Sequence, residues 1–154
     1  MSDQPETAIP VLLVEDNEID AEIAKRVLAK SGVQVSLCIA RDGKEALDLL
    51  FQEFYQEESP WQGRQRPRLI VLDLGLPGFD GREVLRRIKN DPGLCSIPVA
   101  VLTGSSGEKP MLECMAIGGN MYFVKPMTVA DAANVLAAVQ QYWVLLDRLR
   151  QRAA

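Results

Sequence analysis

The chain of 154 residues contains no histidine. A Ser-His-Asp or Cys-His triad therefore cannot be built from this chain alone, and neither can an imidazole-ligated metal site or a phosphohistidine. The phosphate-binding pattern G-x-x-x-x-G-K-[ST] is also missing, which leaves nucleotide binding of the P-loop type without support. Any chemistry must therefore come from carboxylates, lysine, hydroxyl groups and backbone amides.

Cysteines and long apolar runs are scarce as well. Cys38, Cys95 and Cys114 are odd in number and lack CxxC spacing, so we expect reduced thiols rather than a disulfide or a zinc site. No apolar run approaches the roughly 20 residues that span a bilayer, and the first residues lack the pattern of a signal peptide. We therefore expect a cytoplasmic protein without membrane contact. The formal net charge of -4 argues against nonspecific nucleic-acid binding.

What the sequence does contain is a regular alternation of short apolar runs and helical patterns. The run from Arg68 to Asp73, RLIVLD, shows no polar alternation and predicts a strand buried on both faces. Similar runs predict four further strands, at residues 9–14, 33–40, 97–102 and 121–124. Helical spacing follows each strand, and a polar segment at 57–66 predicts a loop. This alternation favours an α/β fold with a parallel sheet between two layers of helices.

Polar side chains follow four of the five predicted strands. Parallel strands end at the same edge of a sheet, and the crevice at that edge is where open α/β folds bind ligands. Taken one at a time, these side chains have ordinary explanations as helix caps, turn residues or solvated charges. These explanations do not account for the convergence of all these side chains on one edge of the sheet. The residues are Glu15, Asp16, Asp73, Thr103 and Lys125.

The charges of this group suggest its chemistry. Two carboxylates about 4 Å apart repel each other by on the order of 4 kcal/mol at an effective dielectric constant near 20, so three of them require a cation. Lys125 supplies only one positive charge, and Mg²⁺ suits a site that offers a few carboxylates. Asp73 is then a candidate nucleophile that accepts a phosphoryl group. The Thr103 hydroxyl and the amides near Gly75 and Gly104 are candidate donors to its oxygens.

Four ordered segments of the sequence carry a family resemblance. They read VLLVEDN, LDLGLPGFDG, VLTG and VKP, and begin at residues 11, 72, 101 and 124. Together they resemble the receiver domain of two-component response regulators over roughly residues 8–141. The resemblance implies a three-layer, doubly wound (βα)5 flavodoxin-like fold whose parallel sheet has the strand order 2-1-3-4-5.

The resemblance also implies a mechanism. A partner histidine kinase would phosphorylate Asp73, and Thr103 and Lys125 would bind the phosphoryl group. We therefore expect a phosphoacceptor signalling protein rather than an enzyme, although an autophosphatase activity of its own is compatible with this expectation. The Mg²⁺ ligands implied by the family are Glu15, Asp16, Asp73 and the backbone carbonyl of Gly75.

A conformational switch is part of the same family pattern. Thr103 would swing toward the phosphoryl oxygen, and Tyr122 would rotate into the space that Thr103 leaves. The alternative is that Tyr122 is an ordinary core residue. The resemblance further implies a cis peptide bond between Lys125 and Pro126, which X-Pro bonds adopt at modest cost.

The C-terminal segment predicts an extended helix. From Thr128 to Arg150 such a helix would be roughly 34 Å long, which exceeds the length of the strands. Its apolar stripe includes Trp143 and Leu146, and we expect five apolar or aromatic residues there to be exposed in a monomer. We interpret residues 142–154 as an extension that forms a homodimer, with the alternative that it folds back on its own domain. The interface candidates are Tyr142, Trp143, Leu146 and Leu149, together with Leu145.

Some features point to a narrower group. The loop after the second helix, the Glu-Asp-Asn motif and the Tyr-Trp tail most resemble the stand-alone response regulators that pair with cyanobacterial and bacterial phytochromes. The donor would then be a light-regulated histidine kinase, and we expect a protein without an output domain, which acts through another protein or its own dimer. Two alternatives stay open, namely an Mg²⁺-dependent phosphohydrolase, which Gly75 disfavours because it replaces the second carboxylate, and a pseudo-receiver that only binds a partner.

Overall fold

Five parallel strands form one sheet in the order β2-β1-β3-β4-β5 in the computed structural model, which describes residues 8–51, 66–76, 80–104 and 108–153. Strands and helices alternate along the chain, as the sequence predicts. The elements are β1 (Ile9–Val14), α1 (Glu18–Ala29), β2 (Val35–Ala40), α2 (Gly43–Phe51), β3 (Leu69–Asp73), α3 (Gly81–Asn90), β4 (Val99–Thr103), α4 (Glu108–Ile117), β5 (Met121–Val124) and α5 (Val129–Ala153).

The burial of the strands follows from their place in the sheet. Every residue of the three central strands, β1, β3 and β4, is buried, whereas the edge strands β2 and β5 are mostly half-buried. Helices cover both faces of the central strands, which explains their uninterrupted apolar runs. Helix α1 contacts α5, and α3 contacts both α2 and α4. The fold and strand order predicted from the sequence are confirmed.

Several boundaries differ from the sequence prediction. Strand β2 begins at Val35 rather than at residue 33, and β4 begins at Val99 rather than at residue 97. The predicted loop at 57–66 lies outside the described residues, apart from Arg66. The peptide bond between Lys125 and Pro126 is cis, as predicted. No helix within the described ranges is both long enough and apolar enough to cross a membrane.

Helix α5 is the longest of the described helices, with 25 residues and a length of about 37 Å. The expectation that Trp143 and Leu146 are exposed in a monomer is wrong. Trp143 is only 9 % exposed, and Leu146 packs against the core. Helix α5 continues along its own domain at this point, so the apolar stripe is partly covered from within. Leu145 and Leu149 are exposed as expected, at 47 % and 60 %.

Candidate acidic phosphoacceptor pocket

The register of the sheet brings the polar strand ends together. Asp73 pairs with Leu102 across β3 and β4, and Thr103 pairs with Val124 across β4 and β5. The amide of Lys125 donates a 2.8 Å hydrogen bond to the carbonyl oxygen of Thr103, which continues the β4–β5 ladder by one residue. Because all five strands run in the same direction, side chains far apart in sequence reach one edge.

Three carboxylates form a tight cluster at this edge. Ligand oxygens of Glu15, Asp16 and Asp73 all lie within 4.8 Å of one another. Glu15 and Asp73 are buried, with 1 % and 4 % of their surface exposed, whereas Asp16 is open to solvent. Buried carboxylates at this separation need positive charge, and an all-oxygen donor set with one solvent-facing member suits a hard divalent ion that keeps water ligands. The cluster therefore fits Mg²⁺.

Lys125 provides the positive charge within the cluster. Its Nζ lies 2.9 Å from Glu15 Oε2, 3.1 Å from Asp73 Oδ2 and 3.1 Å from Asp20 Oδ2. Its side chain is only 20 % exposed, so these ion pairs are poorly screened by water. One ammonium group is thus shared among three carboxylates, and the charge balance of the pocket stays negative.

The pKa values of two of these groups reflect the shared charge. The pKa of Glu15 is raised to about 7, because burial and the nearby charge of Asp73 together outweigh the lowering effects of Lys125 and of the Asn17 amide. Burial disfavours the charged form of Lys125, but hydrogen bonds to Glu15 and Asp73 outweigh this effect and raise the Lys125 pKa. Lys125 therefore stays protonated, while Glu15 carries a proton in part of the molecules near neutral pH when no metal is bound.

The Asp73 carboxylate is fixed from two sides. The amide of Gly75 donates a 3.0 Å hydrogen bond to Oδ1, and Lys125 lies next to Oδ2. Helix α3 begins directly behind it, since a Cβ on Gly81 would lie 2.7 Å from the carbonyl oxygen of Asp73. Only glycine permits this approach of the helix to the strand end. Each of the two Asp73 carboxylate oxygens is therefore held by its own donor.

The cluster opens into a pocket of about 500 Å³. Thr103 and Gly104 line it, which brings the predicted hydroxyl and amide donors to the same site as Asp73. Tyr122 lies outside the lining and packs half-buried against the core, so its predicted rotation stays a prediction. The lining consists of Glu15, Asp16, Asn17, Asp20, Asp73, Leu74, Gly75, Arg82, Thr103, Gly104, Pro110 and Lys125.

Asp20 is a member of the pocket that the sequence interpretation missed. It lies in the first turn of α1, whose N-cap is Asn17, and the Asn17 side chain accepts a 2.9 Å hydrogen bond from the Asp20 amide. A helix that begins directly behind the Glu15-Asp16 pair turns its third residue back toward that pair. An acidic residue at this spacing was the available signal.

Comparison with known proteins gives a consistent family. The family model described as the response regulator receiver domain matches residues 11–139 of the sequence. The response regulator Rcp1 of Synechocystis sp. (strain ATCC 27184 / PCC 6803 / Kazusa) is 38% identical over 144 residues, which is 94% of this chain and 95% of Rcp1.

Two solved structures resemble the chain closely. The crystal structure of the phosphorylated cyanobacterial phytochrome response regulator RcpA has a TM-score of 0.67 and 35% identity, covering 89% of this chain and 94% of RcpA. The Mn²⁺-bound form of Rcp1 has a TM-score of 0.65 and 36% identity, covering 88% of this chain and 94% of that structure.

Proposed function

The chain belongs to the family of response regulator receiver domains, and on that premise we propose that Asp73 is its phosphoacceptor. The observation that carries the proposal is the position of Asp73, buried at the end of β3, with one oxygen on the Gly75 amide and the other on Lys125. A buried carboxylate between fixed donors is a suitable nucleophile because its geometry is set before the reaction.

The transfer conserves atoms and charge. An Asp73 oxygen attacks the phosphorus of a phosphohistidine on the sensor kinase, a P–O bond forms, and the P–N bond breaks with its electron pair left on the imidazole. Lys125 and the hydroxyl of Thr103 would bind the phosphoryl oxygens, and the amides of Gly75 and Gly104 would add hydrogen bonds.

The metal ligands follow from the carboxylate cluster. Glu15, Asp16, Asp73 and the carbonyl oxygen of Gly75 would hold Mg²⁺, which supplies positive charge for the transferred phosphoryl group. Receiver domains bind Mg²⁺ at an acidic pocket, and the related Rcp1 has a structure in its Mn²⁺-bound form. The exposure of Asp16 leaves one side of the cluster open to water and to the donor.

Mass spectrometry after incubation with acetyl phosphate and Mg²⁺ tests this function. We expect one phosphoryl group per chain in the wild type and none in Asp73→Asn. Asp147→Asn is the matched control, because Asp147 is exposed on α5 and should leave the modification intact. Continuous turnover of acetyl phosphate with no accumulated adduct would favour a phosphohydrolase, and no modification of the wild type would favour a pseudo-receiver.

The phosphoryl donor is proposed to be a phytochrome-type histidine kinase. Support comes from the relatives, since RcpA is a cyanobacterial phytochrome response regulator and covers most of this chain. Purified kinases labelled on histidine provide the test. Transfer to this chain from a phytochrome kinase at least about tenfold faster than from an unrelated sensor kinase supports the pairing, and equal rates would contradict it.

A switch between Thr103 and Tyr122 is proposed to transmit phosphorylation. Tyr122 pairs with Val101 in the sheet, two residues before Thr103, so movement of Thr103 changes the packing beside it. Fluorotyrosine NMR follows the ring directly. We expect the Tyr122 resonance to shift on addition of acetyl phosphate, and the shift to disappear in Thr103→Val. The resonance of Tyr142, at the opposite end of the sheet, is the internal reference.

The last helix is proposed to form a homodimer. Tyr142, Leu145 and Leu149 follow one another at spacings of three and four, and all three are exposed. They therefore form one stripe along α5, which a second copy could cover symmetrically. Trp143 and Leu146 would contribute indirectly by holding the helix against its own domain. Residues 8–141 would then be the receiver unit and residues 142–154 the extension, whose first turn still packs on the receiver unit through Trp143.

Sedimentation equilibrium of a Leu145→Lys, Leu149→Lys variant tests the dimer. We expect the dimeric wild type to become monomeric. Ala137→Lys, Val144→Lys is the matched control, because both positions are exposed on another face of α5. A monomeric wild type, or a variant that stays dimeric, would contradict the proposal.

A further inference from the structure

Asp20 is the fourth carboxylate that lines the pocket, in addition to Glu15, Asp16 and Asp73. Its Oδ2 lies 3.1 Å from Lys125 Nζ, although the two residues are 105 positions apart in the sequence. Its side chain is 40 % exposed, and the hydrogen bond that caps α1 uses only its backbone amide. The carboxylate is therefore directed at Lys125 rather than at the helix end.

The three carboxylates around Lys125 are not equivalent. Glu15 and Asp73 belong to the cluster that fits a divalent ion, whereas Asp20 does not. A metal ion neutralises part of the negative charge of the carboxylates that bind it, so these carboxylates attract an ammonium group less strongly. When a metal ion occupies the cluster, Asp20 is the one carboxylate of the three whose full negative charge still attracts Lys125.

We propose that Asp20 is a positioning residue that anchors Lys125 beside Asp73 when the metal cluster is engaged. The proposal rests on the phosphoacceptor function proposed above. Lysine is long and rotates about four bonds, so an ammonium group that has lost its partners samples many positions. Because the ion pair with Asp20 remains, the Lys125 Nζ stays at the edge of the pocket where the phosphoryl oxygens arrive.

A purely electrostatic role for Asp20 makes a different prediction. Glu18 is also acidic and also lies in the first turn of α1, but its carboxylate pairs with Arg41 on the surface at 3.5 Å. If only negative charge near the helix start mattered, removal of Glu18 and removal of Asp20 would have similar effects. If the contact with Lys125 matters, only the removal of Asp20 changes the reaction.

The test compares Asp20→Ala, Asp20→Glu and Glu18→Ala with the wild type. We expect the rate of modification by saturating acetyl phosphate in Mg²⁺ to fall about threefold to fivefold in Asp20→Ala, the effect of one partly exposed ion pair. The rate should recover at least in part in Asp20→Glu and stay within about 1.5-fold of the wild type in Glu18→Ala.

Two further measurements separate positioning from metal binding. Calorimetric titration with MgCl₂ should give dissociation constants for Asp20→Ala and Glu18→Ala that agree within about twofold, because each variant removes one charge outside the cluster. The side-chain ammonium signal of Lys125, observed by NMR in the Mg²⁺-loaded protein, should be resolved in the wild type and in Asp20→Glu and exchange-broadened in Asp20→Ala.

The outcomes are distinct. A wild type that is not modified on Asp73 ends the proposed function, whatever Asp20 does. A modified wild type with an unchanged Asp20→Ala variant overturns only the positioning role. Equal losses in Asp20→Ala and Glu18→Ala, or an Mg²⁺ affinity that falls as much as the rate, would also overturn it, because either result would assign the effect to charge alone.

Discussion

The indole Nε1 of Trp143 donates a 2.9 Å hydrogen bond to the carbonyl oxygen of Arg68. Arg68 immediately precedes β3, the strand that ends in Asp73, so the last helix is attached to the beginning of the phosphoacceptor strand. The guanidinium of Arg68 also lies 5.2 Å from the centroid of the Trp143 ring. Trp143 is thus part of the domain core.

Substitution of Trp143 should therefore cost stability. We expect Trp143→Ala to lower the free energy of unfolding by about 3–5 kcal/mol, because a large buried ring is lost. Trp143→Phe should cost about 1–2 kcal/mol, because the Arg68 carbonyl loses its donor. Urea denaturation measures both values. Val144→Ala is the control on an exposed position outside the proposed dimer stripe, and a cost as large as that of Trp143→Ala would contradict the assignment of Trp143 to the core.

Gly81 should be intolerant of any side chain. A Cβ there would lie 2.7 Å from the Asp73 carbonyl oxygen and 2.8 Å from Leu74 Cα, and backbone atoms cannot move aside cheaply. We expect Gly81→Ala to destabilise the protein by about 1–3 kcal/mol and to slow modification of Asp73. Gly104→Ala is the matched control, because a Cβ at Gly104 would meet nothing within 4 Å. Equal thermal unfolding temperatures of the two variants would refute this explanation.

Removal of the Lys125 charge should separate metal binding from phosphorylation. In Lys125→Met, the Glu15, Asp73 and Asp20 carboxylates lose their shared cation, so the pocket becomes more negative. We expect Mg²⁺ to bind about tenfold more tightly by calorimetry, while modification by acetyl phosphate becomes slower. Lys25→Met, an exposed position on α1, should change neither quantity. Weaker Mg²⁺ binding in Lys125→Met would show that Lys125 does not compete with the metal.

Glu15 should give the metal-free protein a distinct pH dependence. Its pKa rises from 4.5 to about 7 in the folded state, so the folded chain holds a proton that the unfolded chain has lost between these values. The free energy of unfolding contributed by Glu15 is therefore fully present below about pH 4.5 and is lost as the pH rises through about 7. Glu15→Gln should remove this loss.

The measurement compares urea denaturation of wild type and Glu15→Gln in EDTA. We expect the variant to gain stability relative to the wild type between pH 5 and pH 8, in the direction that linkage requires. Glu22→Gln, an exposed substitution on α1, is the control for the same change in charge. A stability difference that does not vary over this range would mean that Glu15 titrates in the folded protein as it does in the unfolded chain.

The sequence by itself determined the architecture and most of the pocket. An uninterrupted apolar run such as LIVL, which leads into Asp73, indicates a strand buried between two layers of helices. Parallel strands place their last residues at one edge of the sheet. Glu15, Asp73, Thr103 and Lys125 were therefore predictable, because each lies at or next to a strand end. Their positions after the apolar runs in the sequence were enough to predict that they lie together.

Tertiary structure alone decided how those residues share charge and which face of α5 is covered. Helical spacing turns Asp20 toward the Glu15-Asp16 pair, but its contact with Lys125 depends on the position of α1 relative to β5, which the sequence pattern does not give. Trp143 continues the buried stripe of Leu136 and Val139 and meets the beginning of β3, whereas Leu149 lies on another face of α5 and is exposed. The physical reason is that periodicity defines the faces of a helix, whereas its packing against the sheet decides where along its length each face leaves the domain.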